Sequence, residues 1–562
     1  MGGGKVGALD PASSSEAAKH ETRQVLTERG MSVFLSQALN YRQRRVVVWL
    51  VAFVWSTGMC AGAADDDLGF GYAGSMGGTS TDLGQSTAVD AVGNVYVAGR
   101  FSFTADFDPG AGTVNLTSAG GFDLYVYKLN PGRNLVWARA MGGPGIDVGM
   151  GIAVDDSGNV YTTGCFTGTA DFDPGPGTAN LTSAGGEFDA DVFVSKLDSN
   201  GNYAWAKQLG GVNSDWAEGI ALDDSGNVYS TGSFFATGDF DPSGGTATLT
   251  SGGGDDAYVS KLDSDGNFVW AGAMGGPGSD AGSDIVVDAL GGVYTTGFFS
   301  GTGDFDPSGA TANLISAGSN DIFVSKLDSG GNFVWAGAMG GSSTDNGLGI
   351  AVDSTGNVYT TGSFEGTADF NPGGGTANLN GAGGTDIFVS KLDSGGSYVW
   401  AGRMGGPSAD VGEGIAVDSA GEVYTTGFFR GEADFDPAPP DTPLYSVGDS
   451  DIFVSQLDTA GNFIHAKGMG GTGTDVGKGI VVDGAGSVYT TGFFSDTADL
   501  DPRAFNIMLT SAGGVDVFAS KLIVTAPLGP VANLFALVLL SIILLVAGSL
   551  ALKWRGPVRG GG

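Results

Sequence analysis

Apolar positions between Phe70 and Leu522 fall in runs of about four to seven residues, separated by Asp, Ser, Gly and Asn. In one stretch the runs are Ile152–Asp155, Val160–Phe166, Val192–Asp198 and Tyr203–Leu209. They are rich in β-branched and aromatic residues, and none leaves room for a helix of ten residues, so each predicts a strand. The intervening D-D-S-G-N and D-S-N-G-N segments suit tight hairpins, with glycine supplying positive φ. The pattern then repeats. A V-Y pair recurs at Tyr96, Tyr161, Tyr229, Tyr294, Tyr359, Tyr424 and Tyr489, at intervals of 65, 68, 65, 65, 65 and 65 residues.

Seven units of four antiparallel strands predict an all-β fold, a seven-bladed β-propeller over residues 64–522. The third-strand motif occurs a seventh time at Phe518–Leu522 with no fourth strand after it. Phe70–Gly78 (FGYAGSMGG) matches the fourth-strand motif at Phe333–Gly341 (FVWAGAMGG), so the N-terminal strand is expected to complete the last blade and close the ring. The motifs IAVD-x-x-GNVYTTG, F-V-S-K-L-D-x-x-GNF and the closing MGG resemble the SBBP (seven-bladed β-propeller) repeat family of bacterial exported proteins. The resemblance covers Phe70–Leu522. It implies the propeller fold and says little about activity.

Composition narrows the picture further. The 562-residue chain has 102 Gly, without the G-X-Y period of collagen, and only two Cys and two His. Residues 64–522 hold 57 acidic and 15 basic residues, a formal charge of −42, which repels phosphate backbones and argues against nucleic acid as a partner. Arg42, Arg44 and Arg45 precede the apolar run Val46–Trp55 and an Ala61-Gly62-Ala63 site, the pattern of a secretory signal within residues 1–63. After a Pro-containing linker (523–530), Val531–Leu552 forms 22 residues of apolar sequence, about 33 Å as a helix and enough to span a bilayer. Lys553, Arg555 and Arg559 in the tail 553–562 would hold the C-terminus in the cytoplasm. The expectation is therefore an exported, single-pass protein that meets the membrane through Val531–Leu552 and displays its acidic domain outside.

Two sets of acidic residues are candidate sites. The long loop between second and third strands carries a D-x-D pair in six units: Asp106 with Asp108, Asp171 with Asp173, Asp239 with Asp241, Asp304 with Asp306, Asp434 with Asp436 and Asp499 with Asp501. The fifth unit has Asp369 with Asn371. The loop between fourth and first strands adds Asp82, Asp147, Asp215, Asp280, Asp345, Asp410 and Asp475, expected as an acidic ring near the channel mouth. Both loops project from one face. Carboxylates with glycine-rich carbonyls suit a hard cation, making Ca²⁺ the candidate cofactor, although Asp before Pro-Gly also closes turns and the spacing is not that of an EF-hand. The fourth-strand aromatics Tyr72, Trp137, Trp205, Trp270, Trp335 and Trp400, with His465, read as packing between blades.

Enzyme chemistry fits badly. Seven similar units offer no single asymmetric constellation, and no G-x-S-x-G, H-E-x-x-H or phosphate-binding loop occurs. The departures from the repeat are Trp216 with Glu218, Arg430, the Pro437–Pro443 loop and Arg503, and they read as drift. The expected function is a non-enzymatic binding or structural module for cations, glycans or a protein. The alternative is a carbohydrate-active enzyme working at the channel mouth.

Overall fold

Within each repeat the second strand shows why the pattern folds as it does. Val160–Phe166 (VYTTGCF) is buried at every position, because both faces are covered by neighbouring repeats. Its threonines spend their hydroxyls across the ladder: Thr163 Oγ1 donates to the Phe193 carbonyl at 2.7 Å, and Thr162 Oγ1 pairs with Ser195 Oγ at 2.7 Å. Burial of these polar groups is thus matched by partners. The computed structural model describes residues 68–438, 443–503 and 507–524, all within the unit Asp67–Thr525.

The core lies between repeats. One cluster joins Tyr229, Val259 and Met274 of the third repeat to Ile285, Phe299, Phe305 and Phe323 of the fourth. Phe305, the apolar residue inside a D-x-D pair, stands edge-on to Phe299 with ring centroids 5.3 Å apart and lies 4.8 Å from Phe323. Phe107, Phe172, Phe240, Phe370 and Phe435 occupy the same place and are likewise buried. Fourth-strand tryptophans reach forward: Trp270 Nε1 donates to the Ser329 carbonyl and Trp335 Nε1 to that of Ser394, each in the next repeat's hairpin.

The expectation of a closed seven-bladed propeller of four-stranded blades plus a transmembrane helix is corrected. The described residues form thirty-two strands in five sheets, of twelve, eight, eight, two and two strands. Four strands beyond the expected twenty-eight arise in the second and sixth repeats. There the second strand breaks at Gly168 or Gly431, and the loop hairpin forms its own pair, Thr169–Asp171 with Asn180–Thr182 and Glu432–Asp434 with Pro443–Tyr445. Sheets exceed four strands because the outer strand's terminal glycines pair with the next repeat. Gly77 faces Asp106, Gly210 faces Asp239, Gly340 faces Asp369 and Gly470 faces Asp499. Isolated bridges link Gly142 to Asp171, Gly275 to Asp304 and Gly405 to Asp434. The sheets do not merge into one closed hydrogen-bonded ring.

The N-terminal strand Leu68–Gly78 does pair with the last strand, Met508–Val524, from Leu68↔Val524 to Met76↔Val517. The seven first strands, Leu83–Val89, Asp147–Val154, Asp215–Leu222, Ala281–Val287, Asn346–Val352, Val411–Val417 and Val476–Val482, neighbour one another in turn, and the last meets the first. They pack without hydrogen-bonding to each other, giving a propeller-like arrangement around a channel.

No helix among the described residues is long and apolar enough to cross a membrane. The helix expected over Val531–Leu552, like the signal pattern in residues 1–63, lies outside the described residues. The single-pass placement therefore has no structural support and is withdrawn.

Because Phe305 sits at a seam between repeats, Phe305→Ala should destabilise the domain by about 3–5 kcal/mol. Val269→Ala, at a side chain 45% exposed, should change stability by less than about 0.5 kcal/mol. Denaturant unfolding of the two variants side by side checks the contrast.

Candidate functional site

The D-x-D carboxylates are turned into their own loops. Asp304 Oδ1 accepts the backbone N–H of Asp306 at 3.1 Å and that of Ala312 at 2.8 Å, closing the loop across eight residues. Asp306 Oδ1 in turn accepts the N–H of Ser308 at 2.8 Å. Asp106, Asp171 and Asp239 make the same two bonds as Asp304. In the fifth repeat Asn371 Oδ1 serves in place of the second carboxylate, accepting from Gly373 at 2.9 Å. Asp434 and Asp499 keep the link within the pair, and Asp501 is also bridged by Arg503 at 3.0 Å.

Of the two readings the sequence leaves open for these pairs, turn closure and metal ligand, the second aspartates make the bonds of the first. Asp108 accepts from the N–H of Gly110 at 2.8 Å, Asp173 from Gly175 at 2.8 Å, Asp241 from Ser243 at 2.8 Å and Asp436 from Ala438 at 3.0 Å. Each of Asp108, Asp173, Asp241 and Asp436 therefore closes a turn two residues long, the role that an aspartate before Pro ordinarily fills. No three Asp, Glu, His or Cys side chains among the described residues come together as a metal-holding group.

The second set, expected as an acidic ring near the channel mouth, is buried in the structure. Asp82, Asp147, Asp215, Asp280, Asp345, Asp410 and Asp475 are all wholly buried. Each accepts from the final glycine of the preceding MGG-type turn, as Gly78 donates to Asp82, Gly276 to Asp280 and Gly471 to Asp475, each at 2.7 Å. In all but Asp147 the other oxygen takes an N–H about twenty residues on, as Ser300 donates to Asp280 at 2.9 Å.

Beside each lies a second buried aspartate that sequence reasoning passed over, at the head of the third strand. The pairs are Asp516 with Asp82, Asp123 with Asp147, Asp191 with Asp215, Asp256 with Asp280, Asp321 with Asp345, Asp386 with Asp410 and Asp451 with Asp475. Burial pushes these carboxyls up, Asp123 to about 6 and Asp147 to about 7, where the neighbouring Asp123 charge adds to the shift. The signal was present as a D preceding every V-F-V-S-K-L-type run.

The channel gathers residues that differ from repeat to repeat, Glu218 among them. Every first strand carries a β-bulge in the same place, and the bulged residues are Gln85, Met150, Glu218, Ser283, Leu348, Glu413 and Lys478. All seven line one cavity of about 410 Å³. A bulge leaves its residue unpaired and re-aims the side chain. Flanking residues are small because the strands crowd together: a Cβ on Gly414 would lie 2.8 Å from the Lys478 carbonyl. Lys478 Nζ donates to Glu413 Oε1 at 2.7 Å, and Gln85 Nε2 lies 3.7 Å from Met150 Sδ. Asp284, where most repeats have glycine, accepts from Ile285 and Ile350, while burial pushes it up to about 6. Burial also pushes Glu218 up to about 7; the Lys478 charge opposes that shift and the Glu413 charge adds to it.

Two outcomes follow. Asp306→Asn should leave stability within about 0.5 kcal/mol, because Asn371 already fills this role with an amide oxygen; thermal unfolding checks it. Lys478→Met should move the titration of Glu218 upward from about 7, and Glu413→Gln should move it downward, as read by ¹³C NMR of the carboxyl.

Comparison with known proteins agrees with the fold. Residues 136–164 and 204–233 match the family described as SBBP, beta-propeller repeat. An uncharacterized WD repeat-containing protein of Acanthamoeba polyphaga mimivirus is 24% identical over 75% of this chain and 36% of its own length. The regulatory protein FlaEY of Caulobacter vibrioides is 28% identical over 38% of this chain and 24% of its own. The chain thus spans about a third and a quarter of these relatives. Among solved structures, a Xanthomonas campestris gluconolactonase aligns at TM-score 0.27 and 12% identity, over 65% of this chain and 90% of that one. Chaetomium thermophilum Sqt1 aligns at TM-score 0.35 and 10% identity, over 83% and 100%. At such scores neither informs ligand or chemistry. The matched repeats and the WD-repeat relative support a β-propeller repeat protein, an architecture consistent with a binding or structural module.

Proposed function

We propose that the chain is a non-enzymatic binding module, and that its ligand is a small polar molecule of the oligosaccharide class received in the central channel. The observation that carries this reading is the set of seven bulge residues. The repeats largely agree at buried strands, turns and junctions, yet at the bulge they present Gln85, Met150, Glu218, Ser283, Leu348, Glu413 and Lys478. Such varied side chains on a repeated scaffold make one asymmetric surface, suited to one ligand per chain. A wall with carboxylates, an ammonium, an amide and two apolar side chains offers both hydrogen bonds and contact for the faces of a sugar ring. Burial and the Glu413 ion pair hold the charged groups in place before a ligand arrives.

The test is a glycan array followed by calorimetry on the full chain. Binding at one equivalent per chain, weakened at least tenfold in a Glu413→Gln, Lys478→Met double variant and without cleavage of the bound glycan, is expected. Binding indifferent to these substitutions, a stoichiometry near seven, or turnover of the glycan would each overturn the reading.

A further inference from the structure

We propose that six of the seven buried aspartate pairs at the repeat junctions each hold one divalent hard cation, Ca²⁺ by preference, and that Arg403 takes the cation's place in the seventh. The inference is independent of the channel. It rests on three features of the junction geometry.

The first is an oxygen without a partner. In each pair the third-strand aspartate gives Oδ2 to a backbone N–H a few residues before it, as Ala317 donates to Asp321 at 2.8 Å and Ala512 to Asp516 at 2.8 Å. Its Oδ1 is then buried and unpartnered in Asp123, Asp191, Asp256, Asp321, Asp451 and Asp516. These side chains belong to residues no more than 4% exposed. Leaving a carboxylate oxygen so is costly unless a positive charge meets it.

The second is space between the carboxylates. A Cβ built on Gly142 would stand 2.8 Å from Asp147 Oδ2 and 2.9 Å from Asp123 Oδ1; on Gly470 it would stand 2.9 Å from Asp475 Oδ2 and 2.8 Å from Asp451 Oδ1. The two oxygens therefore flank one glycine less than about 6 Å apart, and an inward shift of about half an ångström at most brings them within the ~5 Å that an ion with oxygen ligands at about 2.3–2.6 Å bridges. The first MGG glycine keeps that gap free of side chain. Two carboxylates neutralise one dication, and backbone carbonyls or water would complete its shell.

The third is the exception. At Asp386 the corresponding Oδ1 is met by Arg403 Nη1 at 3.2 Å. Arg403 sits opposite Phe388 in the ladder, where the fourth repeat sets Ala338 opposite Phe323. Where a guanidinium reaches the pair, the open oxygen is gone. In the second repeat's ladder Gln208 occupies the same position but binds the other oxygen of Asp191, leaving Oδ1 open.

Calcium bound per full-length chain, measured by atomic emission after chelator treatment and equilibrium dialysis against Ca²⁺ at pH 7.5, tests the assignment. Six ions are expected for the parent protein, seven for Arg403→Ala and five for Ala338→Arg. Melting temperature should also rise with Ca²⁺ beyond the effect of NaCl at matched ionic strength. A count unmoved by Arg403→Ala overturns the proposal, since ions at the D-x-D loops or the channel would not respond to that residue. So does a chain that binds no calcium, in which the pairs share a proton or a water instead. Arg403→Ala only truncates a partly exposed side chain, so it remains decisive if Ala338→Arg fails to fold.

Discussion

The structure depends on a backbone exchange at the seam between repeats. Where the outer strand of one repeat ends in Gly-Gly, its first glycine and the leading aspartate of the next D-x-D loop trade hydrogen bonds. Gly142 N donates to the Asp171 carbonyl at 3.0 Å, and Asp171 N returns to the Gly142 carbonyl at 2.9 Å. Any side chain on the second glycine would strike the strand opposite, since a Cβ on Gly143 would sit 2.1 Å from the Thr169 carbonyl oxygen. That aspartate's own carboxylate closes its loop, and the phenylalanine after it fills the seam. One short motif therefore sets strand pairing, loop shape and core packing together. In a protein built of repeats, stability is a sum of unit and interface contributions, and this motif joins the outer strands at that interface while the first strands pack against one another at the channel.

What could be read in the sequence divides along the same line. The period, strand positions and hairpins were legible because each rests on neighbours within a few residues: Asp155 and Asn159 bracket a turn, and Val160–Phe166 is a buried run by composition alone. The pairing of Leu68–Gly78 with the last strand was legible because the fragment repeats a motif seen intact elsewhere. The cross-repeat bridges were not, since Gly77 and Asp106 are partners only once two sheets face each other. Nor were the detached hairpins of the second and sixth repeats, where the same loop sequence pairs with itself after a break in the strand. Asp108, Asp173, Asp241 and Asp436 carried two meanings in the sequence, ligand or turn, and the N–H aimed at each carboxylate, which supports the turn, is visible only in the structure. Asp82 read as a loop residue at a rim, yet its partners lie four residues back and twenty ahead, and it is buried between them.

The channel residues illustrate a different loss. Glu218 and Lys478 stand at a position where the repeats differ, and variation reads as drift until the bulge is known to put all seven side chains into one cavity. In the ladder a residue must suit its pleat and its cross-strand neighbours. A bulged residue is released from that constraint, so it can diverge without cost to the scaffold. The place where repeats are free to differ is thus also the place where they converge in space.

Charge is divided by the same architecture. At hairpin turns such as those of Asp155 and Asp328, surrounding donors outweigh burial and hold the carboxyl below its usual range. Against the upward push of partial burial, side-chain and backbone bonds from Thr355 and Asn357 hold Asp353 down to about 2. The junction aspartates have fewer donors and more burial, so their carboxyls are driven upward instead. A chain with 61 acidic residues against 25 basic ones has few cations of its own to spend on fourteen such groups. Among the junction pairs it commits one arginine, Arg403, to Asp386. The other six pairs have the same strands and the same preceding glycine pair, with an unpartnered Oδ1 and without that guanidinium. The difference between one repeat and its six copies thus separates what the fold requires, a carboxylate at each seam, from what it leaves to another positive charge.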